Sequence, residues 1–169
     1  MSDQTLRIIT LYGDIKTNDD KWGLWYNDAK NIVKLLGYEP NYFSIDSTTF
    51  KSGKVMSLKR SEKKLLKSID AGDEIRWITI YSLPIDYRVA SFDYDVLLIR
   101  GTEHVSLLAN VSDFKNTNEE MLLDSLKQHI AFKYGEIYDM DRDECPLIYA
   151  SKANPPSSFK TLKVIKNIQ

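Results

Sequence analysis

The side chains that could act as nucleophiles or bases are few in this sequence and lie far apart along it. The chain has one cysteine, Cys145, and two histidines, His104 and His129. A cysteine nucleophile needs a base within hydrogen-bond reach, and no spacing ties either histidine to Cys145. The single cysteine also excludes an intrachain disulfide. We therefore predict no catalytic residue of the Cys-His type.

A pair of carboxylates is the other candidate for chemistry. Asp93 and Asp95 are two residues apart on a predicted strand, residues 92 to 99, so they would share one face. Such a pair could act as general acid and base, but charged residues also keep an edge strand soluble. A hydrolase or transferase that uses Cys145 or these two carboxylates is the less favoured alternative, and the sequence predicts a protein that is not an enzyme and needs no cofactor.

A cluster of acidic residues near the C-terminus carries the main prediction. Its series Asp-Met-Asp-Arg-Asp resembles the start of a calcium loop, but Glu144 stands where that loop needs glycine and Ala150 where it needs glutamate. We therefore predict no metal site. Tyrosines beside carboxylates are typical of protein recognition surfaces, although a solvated turn is an open alternative. The predicted partner-binding residues are Tyr138, Asp139, Asp141, Asp143 and Glu144.

The overall charge is balanced, with 23 basic and 24 acidic side chains and a net charge of -1. Direct nucleic-acid or membrane binding is therefore not expected. Basic residues do concentrate in residues 51 to 67, where Lys59, Lys63 and Lys67 recur every fourth position. This spacing indicates a solvated helix face, but a basic surface for an acidic partner stays open. The polar N-terminus and the lack of a long apolar run predict a cytoplasmic protein.

The apolar pattern predicts elements in the order β-α-β-α-β-β-β-α-β. Trp22, Trp25 and their neighbours follow the spacing of one buried helix face, which Gly37 ends. Thr117 opens a predicted capping box for a helix that continues to about residue 134 and ends at Gly135. Residues 146 to 150 are predicted to be an apolar strand. These elements predict one α+β domain over residues 1 to 169, with a mostly antiparallel sheet covered by helices, a linker near residues 153 to 158 and a short last element at residues 159 to 168.

Two C-terminal segments carry a resemblance to a known family. Residues 133 to 140, KYGEIYDM, and residues 146 to 150, PLIYA, are similar to a segment of small immunity proteins of bacterial polymorphic-toxin and contact-dependent growth inhibition systems. The resemblance implies tight binding to a cognate toxin, which protects the producing cell. If the toxin is a nuclease, its substrate groove is basic, and an acidic surface can occupy that groove in place of phosphate.

Other kinds of binding protein remain open. A small-ligand or regulatory domain would use a pocket between sheet and helices, lined by Tyr42, Trp77 and Tyr81. An exposed edge strand would allow homo-oligomers or the addition of a strand from a partner.

Overall fold

In a computed structural model of the chain, residues 4–51 and 53–169 are described. Their strands form one sheet in the order β3-β2-β4-β5-β6-β1-β7-β8, and each neighbouring pair is antiparallel. The strands are β1 (Thr5–Asp14), β2 (Tyr42–Ser47), β3 (Met56–Ser57), β4 (Ile75–Ser82), β5 (Val96–Arg100), β6 (His104–Asn110), β7 (Ala131–Asp141) and β8 (Lys163–Ile168). The helices are α1 (Trp22–Leu35), α2 (Leu58–Asp70), α3 (Ala90–Asp93), α4 (Glu119–Lys127) and α5 (Pro146–Ala150). The predicted α+β class is confirmed.

The larger part of the core lies between one face of the sheet and helices α1, α2 and α4. Helix α1 forms because its apolar residues recur at intervals of three and four, which places them on one side. Trp22 and Trp25 are buried there, as predicted. Gly37 follows the helix with φ of 97°, a conformation that glycine adopts without steric cost, and its amide donates to the Lys34 carbonyl at 3.0 Å.

The other face of the sheet is covered by a smaller apolar cluster. Because side chains alternate along a strand, Ile8 belongs to this cluster while Ile9 points to the helices. Tyr94, which follows α3, and Tyr149 from α5 are buried against this face. The central strands are therefore buried on both sides, and the segments of the short helices α3 and α5 cover the second face, whereas the edge strand β8 is largely exposed.

The predicted helix from Thr117 to about residue 134 is wrong in its boundaries. Helix α4 ends at Lys127, and residues 131–141 form the long strand β7, which pairs with β1 over nearly its whole length. Gly135 is a point of close approach, since a Cβ there would lie 2.7 Å from the Thr10 carbonyl oxygen. The helix cap is Asn118, whose side chain accepts from the Met121 amide at 3.0 Å. The Thr117 hydroxyl instead donates to the Phe114 carbonyl at 2.8 Å.

Two short segments predicted as strand are helical. Residues 90–93 form α3, so the predicted strand begins only at Val96. Residues 146–150 form α5, which starts with Pro146, a residue well suited to a first helical position because the missing amide would have no partner there. The last strand, β8, pairs with β7. Within the described residues, no helix is long and apolar enough to cross a membrane.

Candidate protein-binding surface

The structure separates Tyr138 from the acidic residues with which it was predicted to act. Its ring is fully buried, and its hydroxyl lies 3.0 Å from the Thr10 hydroxyl, which lies 2.9 Å from that of Ser106. Asp139, on the opposite face of β7, accepts two hydrogen bonds from the Arg7 guanidinium at 2.9 and 3.0 Å. Tyr138 is therefore a core residue, and the charge of Asp139 is partly neutralised.

The remaining predicted acids lie around a single 3-10 turn, Arg142–Glu144. Asp141 caps this turn by accepting from the Asp143 amide at 2.8 Å. Glu144 accepts from the Lys160 and Thr161 amides at 2.9 and 2.6 Å and from the Thr161 hydroxyl. These hydrogen bonds lower the pKa of Glu144. Asp141 and Glu144 therefore shape the turn, and Asp143 is its exposed acid.

Arg142, in the middle of this turn, connects it to the segment around α3. Its guanidinium donates to the carbonyls of Phe92 and Tyr94 at 2.8 and 2.5 Å and to the Asn110 side chain at 3.0 Å. An open groove of about 400 Å³ lies beside the turn. Its walls consist of Gln4, Pro84, Asp86, Tyr87, Arg88, Asp93, Tyr94, Asp95, Asn110 and Arg142.

Asp95 is the electrostatically costly residue of the groove. Its carboxylate is half-buried, and none of the ion pairs among the described residues includes it. Burial raises its pKa; Arg142 opposes that rise, and the neighbouring charges of Asp113 and Asp86 add to it. A carboxylate with a raised pKa among like charges in a cleft is a candidate for a functional site. Sequence reasoning missed Asp86, although the acids at residues 86, 93 and 95 form a second acidic segment.

Asp93 and Asp95 do not form the predicted pair on one strand face. Asp93 ends α3 and accepts from the Arg88 and Val89 amides at 2.7 and 2.8 Å, which lowers its pKa. Asp95 lies between α3 and β5. Both line the groove, but the strand prediction that made them neighbours on one face is wrong.

The histidines are engaged elsewhere in the fold. His104 Nδ1 lies 2.8 Å from the Ser106 hydroxyl, and burial lowers the pKa of His104 to about 4. His129 is fully buried, with Nε2 2.8 Å from the Asp28 carboxylate. The structure therefore gives each histidine a hydrogen-bond partner other than Cys145.

The thiol of Cys145 should react slowly. Burial and the charge of Asp143 raise its pKa, which leaves less thiolate at neutral pH than a free cysteine has. We expect alkylation by iodoacetamide at about pH 7 to be slower than that of free cysteine, and Asp143→Asn to accelerate it. Mass spectrometry of samples quenched at successive times measures both rates. Alkylation faster than that of free cysteine would contradict the raised pKa of Cys145.

The predicted basic surface lies away from the groove, whereas the predicted pocket residue Tyr42 adjoins it: the ring centroid of Tyr42 lies 5.3 Å from that of Tyr87 in the groove wall. The basic residues of α2 are exposed on the helical side of the sheet, whereas the groove lies at the other face. Tyr42 and Tyr81 lie opposite each other across β2 and β4 and belong to the second apolar cluster. They therefore lie on the face of the sheet away from helices α1, α2 and α4, and a small-ligand site that uses them stays a prediction.

The groove is thus a polar recess with an excess of carboxylates, bordered by a turn that Arg142 holds in place. In the part of the chain that the structure describes, no three His, Cys, Asp or Glu side chains are grouped so that they could hold a metal ion. Comparisons with protein-family models, with curated proteins and with solved structures found no match.

Proposed function

We propose that this chain is an immunity protein that binds and neutralises a cognate bacterial toxin in the cytoplasm of the producing cell. The similarity of residues 133 to 140 and 146 to 150 to immunity proteins supports the proposal. The acidic groove beside the turn of Arg142 supports it further, because it combines charge with an open shape.

The environment of Asp95 is the observation that carries the proposal. Burial and the charges of Asp113 and Asp86 act against the ionised form of Asp95 and outweigh the opposing charge of Arg142, so this carboxylate destabilises the free protein. A lysine or arginine of a partner that enters the groove beside Asp95 would remove that cost on binding. The groove is therefore suited to a basic protein surface.

A toxin that cleaves nucleic acid has such a surface, because its substrate groove must attract phosphates. Acidic side chains of the inhibitor would occupy the same lysines and arginines and accelerate association by long-range attraction. Two exposed acids add to this negative charge: Asp86 in the groove wall and Asp143 on the turn beside it. Binding of this kind weakens as salt increases.

We expect Asp95→Asn to weaken toxin binding and to stabilise the free protein. The folded state raises the pKa of Asp95, so its ionised form costs stability at neutral pH and that cost disappears as pH falls through the raised value. The variant should gain a few tenths of a kcal/mol at about pH 7, and little in acid. Its affinity for the partner should fall by roughly tenfold to a hundredfold.

Isothermal titration measures these affinities at low and high salt. The partner is the inactivated C-terminal fragment of the toxin encoded by the neighbouring gene. The matched control is Asp124→Asn, an exposed change on α4 at the other face of the sheet, which should leave affinity unchanged. Absence of binding by the unchanged protein would overturn the immunity function. Tight binding that Asp95→Asn and Asp143→Asn both leave intact would instead place the interface elsewhere.

A further inference from the structure

A second recess lies at the other end of β1 from the acidic groove, where three tyrosine side chains meet. Tyr12 and Tyr134 are register partners on β1 and β7, and their rings stack with centroids 4.9 Å apart. The Tyr149 hydroxyl donates to the Glu136 carboxylate at 2.7 Å. The recess has a volume of about 390 Å³, and residues 153–156 form its outer border.

The ammonium of Lys152 occupies this recess. Its Nζ lies 4.2 Å from the centroid of the Tyr12 ring and 4.3 Å from that of Tyr134, within the range of cation–π attraction. None of the ion pairs among the described residues includes Lys152. Its backbone φ is 60°, in the left-handed region that residues other than glycine rarely adopt. The chain therefore holds a lysine in an unfavourable backbone conformation with its charge beside aromatic rings.

Tyr12 and Tyr149 of the recess and the neighbouring His104 are neutral near pH 7. Burial raises the pKa of Tyr149 to about 12, and the nearby Glu136 carboxylate adds to this rise. Burial and Glu136 also raise the pKa of Tyr12. His104, whose ring centroid lies 6.2 Å from that of Tyr12, is neutral near pH 7 because burial lowers its pKa to about 4. The Lys152 ammonium is thus the cation of the recess, opposite one carboxylate and the tyrosine rings.

We propose that this recess is a binding site for a small organic ammonium ion, and that Lys152 occupies it in the free protein. The rings of Tyr12 and Tyr134 would contact the ligand cation, and Glu136 would balance its charge. Lys152 is on an exposed segment, so its side chain can move into solvent when the ligand enters. This site is independent of the proposed toxin interface, because the acidic groove contains none of its residues.

The experiment titrates choline into the unchanged protein and two variants by calorimetry. Lys152→Gly removes the internal competitor and suits the positive φ, so it should bind choline roughly tenfold more tightly. Tyr134→Leu keeps an apolar residue on β7 but removes a ring, so choline affinity should fall by roughly tenfold. The uncharged probe is neohexyl alcohol, in which carbon replaces the charged nitrogen, and it should bind more weakly than choline to every form.

The matched control is Lys160→Gly, which removes another exposed lysine from the same C-terminal part of the chain. It should leave choline affinity unchanged, and thermal unfolding of each variant checks that the fold persists. The proposal is overturned if the unchanged protein does not bind choline, if neohexyl alcohol binds equally well, or if Lys152→Gly binds no more tightly than Lys160→Gly. Failure here does not affect the toxin-binding proposal, since the two titrations use different partners.

Discussion

Replacing Arg100 by methionine should cost about 3–5 kcal/mol of the free energy of unfolding, because it removes one partner of a buried ion pair. The Arg100 side chain is 1 % exposed. Its Nη2 and Nη1 donate to the two Asp19 oxygens at 2.6 and 3.2 Å, and its Nε donates to the His129 carbonyl at 2.8 Å. The guanidinium also lies 4.3 Å from the centroid of the Trp22 ring. Methionine fills similar space but leaves Asp19 Oδ2 and the His129 carbonyl without the arginine donor, and Asp19 Oδ1 with only the Lys21 amide, at 3.0 Å.

The pH dependence gives this prediction a second readout. Burial alone would raise the pKa of Asp19, but hydrogen bonds from Arg100 and the Lys21 amide hold it below its ordinary value. This stabilisation is present above the pKa of an unfolded aspartate and is lost as pH falls through the lower, folded value. The difference between the unchanged protein and Arg100→Met should therefore shrink in acid.

Urea unfolding of both proteins across this pH range measures the difference. The matched control is Arg60→Met on α2, where the arginine is exposed, and it should change stability by less than about 0.5 kcal/mol. A loss in Arg100→Met no larger than in Arg60→Met would show that the buried pair does not contribute as described.

The second large effect should come from Gly13→Ala, with a loss of about 3 kcal/mol. A Cβ at this position would lie 2.0 Å from the Ala131 carbonyl oxygen and 2.8 Å from its carbon. Both are backbone atoms, so no side-chain rotation can relieve the clash. The register of β1 and β7 shifts between Tyr12 and Gly13, and the variant should separate the strands at this irregularity.

Gly23→Ala is the matched control, since the same methyl group is added in a different setting. Gly23 lies within α1, and its added Cβ would meet only the Ile69 side chain at 3.6 Å, an ordinary contact. Alanine is the better helix former, so this variant should gain about 0.5–1 kcal/mol. Thermal and urea unfolding measure both changes. If Gly13→Ala left the free energy of unfolding unchanged, β1 and β7 would have to approach each other less closely at Gly13 and Ala131 than described.

The elements that the sequence predicted well are those with a strong local pattern. Helix α1 has a stripe of apolar residues at helical spacing and a glycine beyond its end, and both signals agree. The conformation of the segment from Ala131 to Asp141 is harder to predict from the sequence, because its apolar residues follow those of α4 closely enough to suggest one helix. Pairing with β1 on one side and β8 on the other decided the conformation, and neither partner is near in sequence.

The candidate site shows the same division between local and distant information. The sequence by itself determined that acids concentrate near residues 139 to 144, that the chain forms an α+β fold, and that no sequence spacing ties a histidine to Cys145. Only the tertiary structure decided that Tyr138 is buried, that Arg142 reaches the segment of Asp93 and Asp95, and that Lys152 lies beside Tyr12. The physical reason is that burial, pKa and cation–π contacts depend on residues brought together across the sheet, and periodicity along one segment does not specify those neighbours.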